Sequence, residues 1–223
     1  MDENLLAYLE TFLTAQRKER FLEVLDFRTN FLTVVAEDVF QMHNASAIVR
    51  SCDVFGIQQF HLIVDRFGNR IDKNIAVGAQ RWVDVNSYKS TEECIDCLVG
   101  QGYRIVATTP SPNAIDLNQY NISGKTALFF GTEKEGLSST VLEAADDTLQ
   151  IPMVGFSESL NVSVSVAIIL QVLATKLRES ELPWQLHQDV ILSKRLDWAK
   201  KTIKNSDRII ERYYSDMVRS TES

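Results

Sequence analysis

Short β-rich runs that are apolar almost throughout recur along this chain, separated by stretches of helical spacing. Phe31–Ala36 reads FLTVVA, Phe60–Val64 FHLIV, Tyr103–Thr108 YRIVAT and Thr126–Phe130 TALFF. A strand with one wet face alternates apolar and polar side chains, whereas a near-continuous apolar run marks a strand covered on both faces. Further strands are expected at Trp82–Val85 and Thr148–Ile151, and helices at residues 42–56, Thr91–Val99 and Ser138–Ala145. Strands alternating with helices at this spacing predict an α/β domain on a largely parallel sheet. A turn at Arg66–Asn69, a short helix at Lys73–Ala79 and a loop at Thr109–Gln119 complete this part.

Leu160–Val166, LNVSVSV, has a period of two and scores as a strand, yet it runs unbroken into the helical spacing of Ala167–Leu177. Asn161 offers N-cap chemistry, so a helix starting near it is expected, with Ser163 and Ser165 as small packing residues. The N-terminal stretch Asn4–Leu25 has helical spacing throughout. Glu181-Leu182-Pro183 marks the one plausible boundary, after which basic helices begin.

With 223 residues, 45% of them apolar, the chain has material for one well-buried domain with small appendages. It contains no apolar run of the ~18 residues that a membrane span needs. Its first residues, Met-Asp-Glu-Asn, are acidic where a secretory signal is basic, so a cytoplasmic location is expected. Three cysteines, Cys52, Cys94 and Cys97, argue against a disulfide framework. Cys94 and Cys97 form a C-x-x-C. Neither a redox pair nor half a zinc site gains support, because no second pair exists and His43, His61 and His187 are scattered. No metal is expected.

The net charge of −7 disfavours a nucleic-acid binder taken as a whole. From Trp184 to Arg219, however, eight Lys/Arg stand against five Asp/Glu, leaving −10 for the remainder. Charge alone reads this as solvated helix faces.

Three stretches resemble functional loops. In residues 42–56, Ala45, Ile48, Cys52 and Phe55 form a core stripe. Arg50 lies about 200° around the helix from Ile48. Periodicity accounts for Asn44 as an N-cap and for Arg50 as a solvated arginine. Residues 128–138, LFFGTEKEGLS, leave a strand at Gly131 and enter a helix after Gly136. A glycine there lets backbone approach a ligand. Residues 151–161, IPMVGFSESLN, also leave a strand for a helix. The G-x-G-x-x-G of dinucleotide folds is absent, and Gly100-Gln101-Gly102 precedes a strand instead of following one.

Taken together, these stretches resemble the three motifs of the SpoU/TrmH group of RNA ribose 2′-O-methyltransferases, in the SPOUT superfamily. Asn44, Ser46, Ala47, Arg50, Asp53 and Gly56 carry the first motif. Gly131, Glu133 and Gly136 carry the second, and Ile151, Pro152, Met153, Ser159, Leu160 and Asn161 the third. The resemblance spans roughly Arg17 to Leu177. The lead-in RFLEVLDFRTNFLTVV and the pair His43-Asn44 are similar to tRNA-directed members, which implies guanosine-18 of the tRNA D-loop as the target. Another tRNA nucleoside, rRNA, or a catalytically silent RNA-binding homologue are the alternatives.

The resemblance also implies a parallel sheet with a C-terminal trefoil knot and a homodimer whose site lies near the interface. Knot loops of this family hold S-adenosyl-L-methionine, which by position implies Thr108, Gly131, Ile151, Met153 and Leu160. Arg50 would act on the ribose 2′-hydroxyl, as general base or as an orienting cation, since a guanidinium normally stays protonated. Asn44, Glu133, Ser159 and Asn161 would form its polar shell. Arg17, Arg20, Arg28, Lys176 and Arg178 would meet RNA phosphates. The implied division is 1–28, an N-terminal helical RNA-binding extension; 29–180, the methyltransferase domain; and 181–223, a basic helical extension.

Overall fold

In the computed structural model, residues 2–39, 42–64 and 79–221 are described. The turn expected at Arg66–Asn69, and all but the last residue of the helix expected at Lys73–Ala79, lie outside them. In chain order the first elements are α1 (Glu3–Glu10), α2 (Ala15–Leu25), β1 (Leu32–Glu37), α3 (Met42–Val54) and β2 (Gln59–Ile63). Next come β3 (Asp84–Tyr88), α4 (Thr91–Gly100), β4 (Arg104–Thr108), β5 (Ile115–Asp116) and β6 (Thr126–Phe130). Then follow α5 (Ser139–Ala144), β7 (Asp147–Gln150), α6 (Val162–Arg178), α7 (Gln188–Thr202) and α8 (Ser206–Thr221).

Contacts divide the chain into two units, Thr29–Trp184 and the joined ends Met1–Arg28 with Gln185–Ser223. In the first unit, seven strands run in the order β3-β2-β1-β6-β4-β7-β5. Every pairing is parallel, as the alternation of elements predicts. Every residue of the central strands β1 and β6 is buried, which is why their sequences carry almost no polar alternation. The edge strand β3 instead alternates between half-buried and exposed positions.

Successive residues on each strand serve opposite faces. Val34, Phe60, Val106 and Leu128 pack with Ile48 and Cys52 of α3 and with Val166, Leu170 and Leu173 of α6. Val35, Ile105, Ala127 and Phe129 pack on the other face with Cys94 and Leu98 of α4 and Val141 of α5. Truncating a fully buried leucine such as Leu173 to alanine costs about 2–5 kcal/mol.

LNVSVSV resolves as helix, with Asn161 as the N-cap of α6. Of the residues that alternate, Val162 and Val166, four apart on one helical face, are buried, whereas Leu160 and Val164 are exposed, so alternation alone misleads there. The N-terminal pattern is two helices, not one. Thr14 ends the break by accepting a hydrogen bond from the Arg17 backbone N–H and capping α2. The loop expected at Thr109–Gln119 contains the two-residue strand β5.

In the second unit, Leu5 and Leu9 of α1 and Ala199 of α7 form a small core with Ile209, Ile210 and Tyr213 of α8. Arg195 donates to Glu10 at 2.6 and 3.0 Å. Phe21 meets the buried Trp198 edge-on at 5.5 Å. Among the described residues, no helix is long and apolar enough to cross a membrane.

Candidate active site

Three chain segments leave the carboxyl edge of the sheet side by side, from β4, β6 and β7. Thr108 ends β4, and its hydroxyl donates to the Phe129 carbonyl at 2.7 Å. After β6 comes Gly131, where a Cβ would stand 2.2 Å from the Gly136 backbone. No other residue fits without moving that backbone. Thr132 and Gly136 exchange backbone hydrogen bonds of 3.1 and 3.0 Å, and Gly136 takes φ +70° to close the turn. This tight loop carries Glu133 outward. Beyond β7, residues 152–160 are all exposed until Asn161 starts α6.

Between these segments lies a cleft of about 400 Å³. Thr108, Gly131, Ile151, Met153 and Leu160, the five residues expected to hold a cofactor, all line it. Ser159 and Glu133 line it too. Its position matches the ligand crevice of open parallel sheets, outside the carboxyl ends of the strands.

At the cleft edge three polar side chains converge. The Glu133 carboxylate oxygen Oε1 accepts from Asn161 Nδ2 at 2.7 Å and from Asn44 Nδ2 at 3.1 Å. Asn161 Nδ2 also reaches Asn44 Oδ1 at 3.2 Å. Asn161 Oδ1 accepts from the backbone N–H and the hydroxyl of Ser163, at 2.9 and 2.6 Å. Because the cap requires an oxygen there, the amide NH₂ must face Glu133. The expectation that Asn44 caps its helix is corrected. Asn44 is the third residue of α3 and is buried, with its amide turned to Glu133 and Asn161.

Arg50 is not part of this cluster. Six residues after Asn44, it lies about 9 Å along α3 and about 120° around it. It is exposed, does not line the cleft, and has no hydrogen-bond or ion-pair partner among the described residues.

The five expected RNA contacts separate into two groups. Arg17 and Arg20 are exposed on α2, Arg20 with an ion pair to Glu23 at 3.0 Å. The other three serve the fold, contrary to expectation. Arg28 is 1% exposed and lies over the Trp198 ring at 5.6 Å. Lys176 donates to the carbonyls of Leu117, Asn118 and Tyr120 at 3.2, 2.7 and 3.0 Å, which uses all three ammonium hydrogens. Arg178 donates to the Phe55 carbonyl at 2.7 Å and lies over Trp184, and burial lowers its pKa.

All three cysteines are free. Cys94 is buried in the core, and burial pushes its thiol pKa up. Cys97 is half-buried and accepts from Gln101 Nε2 at 3.2 Å. Among the described residues, no group of three or more His, Cys, Asp and Glu side chains could hold a metal ion.

One polar residue escaped the sequence reading. Glu37, the last residue of β1, is 1% exposed. Its carboxylate accepts from Thr91 Oγ1 at 2.6 Å, Ser138 Oγ at 2.6 Å and Ser138 N at 2.8 Å. The available signal was a carboxylate ending an otherwise apolar strand.

The fold is that of a SPOUT-type methyltransferase, and the chain belongs to the SpoU rRNA Methylase family, whose model matches residues 31–171. It is 39% identical over 208 residues to the tRNA (guanosine(18)-2'-O)-methyltransferase of Borreliella burgdorferi, covering 92% of this chain and 95% of the relative. The crystal structure of the A. aeolicus TrmH/SpoU tRNA modifying enzyme superposes with a TM-score of 0.74 at 31% identity. That match covers 85% of this chain and 98% of the other. The SpoU methyltransferase AviRb from Streptomyces viridochromogenes, solved in complex with AdoMet, shares the fold at 24% identity. Its TM-score is 0.60, over 71% of this chain and 62% of that one.

Proposed function

We propose that this protein is an S-adenosyl-L-methionine-dependent tRNA ribose 2′-O-methyltransferase acting on guanosine-18 of the D-loop. The observation that carries the reading is the convergence of Asn44, Glu133 and Asn161 at the edge of a cleft lined by Thr108, Gly131, Ile151, Met153 and Leu160. Similarity to a relative named for the guanosine-18 reaction supports the tRNA target. The family description names rRNA, which makes 2′-O-methylation of rRNA the second reading.

The cleft suits the cofactor. Its volume falls within the roughly 300–1,000 Å³ of small-ligand pockets. Its walls combine apolar side chains (Ile151, Met153, Leu160) with the backbone of three strand ends. When bound, S-adenosyl-L-methionine supplies a methyl group on a sulfonium. Ile151, Met153 and Leu160 would exclude water from it, and Gly131 and Thr108 would leave room for it at the sheet edge. Glu133, held by two asparagine amides, and Ser159 would fix polar partners beside the reacting ribose. Arg50 would hold the 2′-hydroxyl or a neighbouring phosphate as an orienting cation, with positioning as the main source of rate.

Within one chain Arg50 stands apart from the cleft, which fits a homodimer in which a second copy completes the site. Val154 and Phe156 are fully exposed, and Val164 and Ile168 show on α6, giving an apolar surface next to the cleft for that contact. Arg17 and Arg20 would meet tRNA phosphates. The trefoil knot belongs to the same reading, supported by membership of the SpoU family. A cytoplasmic location accords with a tRNA substrate.

Calorimetry with S-adenosylhomocysteine tests the cofactor assignment. Saturable binding is expected, lost in Leu160→Arg. No binding by the unaltered protein would remove the methyltransferase reading.

A further inference from the structure

We infer that Glu37 is a positioning residue for this site: its buried carboxylate sets the loop that carries Glu133. The inference rests on the proposed methyl-transfer function for its catalytic meaning, though not for its geometry.

The Glu133 loop has two stems. One is held by the close backbone approach of Gly131 to Gly136. The other ends at Ser138, and Ser138 is tied twice to Glu37, through its backbone N–H at 2.8 Å and its hydroxyl at 2.6 Å. The Ser138 hydroxyl has one hydrogen, which goes to Glu37, and its oxygen accepts from Val141 N at 3.3 Å as the α5 cap. Glu37 ends β1, the central strand paired to both β2 and β6. The second stem is therefore tied to a fully buried strand paired on both sides. Thr91, the first residue of α4, supplies the third hydrogen bond at 2.6 Å from a different element.

A buried carboxylate needs such partners, and each hydrogen bond to a charged group contributes about 1.5–3 kcal/mol. Glutamine in place of Glu37 keeps an oxygen toward the Ser138 N–H only by turning its NH₂ to the Ser138 and Thr91 hydroxyls that donate to Glu37 in the unaltered protein. Ser138 then moves, and with it the loop between Gly131 and Leu137 that lines the cleft and orients Asn44 and Asn161 through Glu133. Thr91→Val removes another hydrogen bond to the same carboxylate without touching the loop. It separates loss of stability from loss of loop position.

The test compares Glu37→Gln and Thr91→Val in the full chain. Three quantities are read: thermal midpoint, S-adenosylhomocysteine affinity by calorimetry, and amide hydrogen exchange at Thr132 and Gly136, whose N–H groups close the loop. Both variants should lose thermal stability. Only Glu37→Gln should weaken cofactor binding and speed exchange at Thr132 and Gly136, each about tenfold, the equivalent of one lost hydrogen bond. Glu37→Asp, one methylene short, should not restore either. If the two variants match at Thr132 and Gly136, the inference is overturned and Glu37 is only a core anchor. If the unaltered protein binds no cofactor, the functional reading fails. The exchange measurement then decides the role of Glu37 alone.

Discussion

Asn161 holds Glu133 with the same amide that caps α6. Its Nδ2 lies 2.7 Å from the Glu133 carboxylate, and its Oδ1 accepts the Ser163 N–H at 2.9 Å. Helix start and cleft-edge carboxylate therefore share one side chain, and the cap settles which end of the amide meets the acid.

Substituting Asn161→Asp follows directly from this. Aspartate is as good an N-cap as asparagine, so α6 should keep its start. Two carboxylates would then face each other where a hydrogen bond of about 1.5–3 kcal/mol had been. Methyl transfer should fall by about tenfold to a hundredfold while the thermal midpoint stays within a few degrees. Steady-state kinetics beside a melting curve checks this. Unchanged kinetics would separate the Asn161–Glu133 pair from catalysis.

Gly131→Ala should act on the cofactor. The added methyl would meet Gly136 backbone atoms at 2.2 Å, so the Glu133 loop must shift. S-adenosylhomocysteine affinity should drop by at least about tenfold, with a modest loss of stability of about 1–3 kcal/mol. Calorimetry of the variant at wild-type affinity would show that the loop does not shape the cleft.

His61 makes stability depend on pH. It is buried on β2 with Nδ1 3.0 Å from the Tyr88 hydroxyl, and burial lowers its pKa from 6.5 to about 4. The unfolded chain thus binds a proton that the folded one refuses between these values. The stability from neutral His61 is complete above about pH 6.5 and is lost as pH falls towards 4, roughly 3 kcal/mol in all. Urea unfolding at a series of pH values should show this slope, and His61→Phe should flatten it. A variant with the same slope would assign the effect to carboxylates.

Lys176 and Arg17 should behave oppositely. Lys176→Met removes three hydrogen bonds to the carbonyls of residues 117, 118 and 120 and should cost about 2–5 kcal/mol of stability. It should leave the salt dependence of tRNA binding unchanged. Arg17→Ala, on an exposed position, should leave stability alone and reduce the salt slope by about one. Binding titrations at several salt concentrations decide between them.

Much of this molecule is legible in its sequence, for physical reasons. β1 and β6 announce themselves because a strand covered on both faces has no room for polar alternation. Asn161 was readable as a cap because the side chain that starts a helix is short, polar and local. The Asn44–Glu133–Asn161 cluster was readable only through family resemblance, since its members are 89 and 117 residues from Asn44 along the chain. The same distance problem made Lys176 and Arg178 look like free cations. Nothing local says that a lysine in the last turn of a helix will find three carbonyls from another loop. Arg28 misled for a related reason, because Trp198, the ring beneath it, arrives from the other end of the chain. Glu37 was passed over because a carboxylate after VVA reads as a strand end, and its partners Thr91 and Ser138 come from two later helices.

The most direct measurement is methyl transfer from labelled S-adenosyl-L-methionine to an unmodified tRNA transcript, with the product nucleotide mapped and Arg50→Ala run in parallel. Label at the ribose of guanosine-18, lost in Arg50→Ala while cofactor binding persists, is the expected result. Label at another nucleotide, or only on rRNA, would contradict the proposed substrate. Full activity in Arg50→Ala would return that arginine to a solvated position on α3.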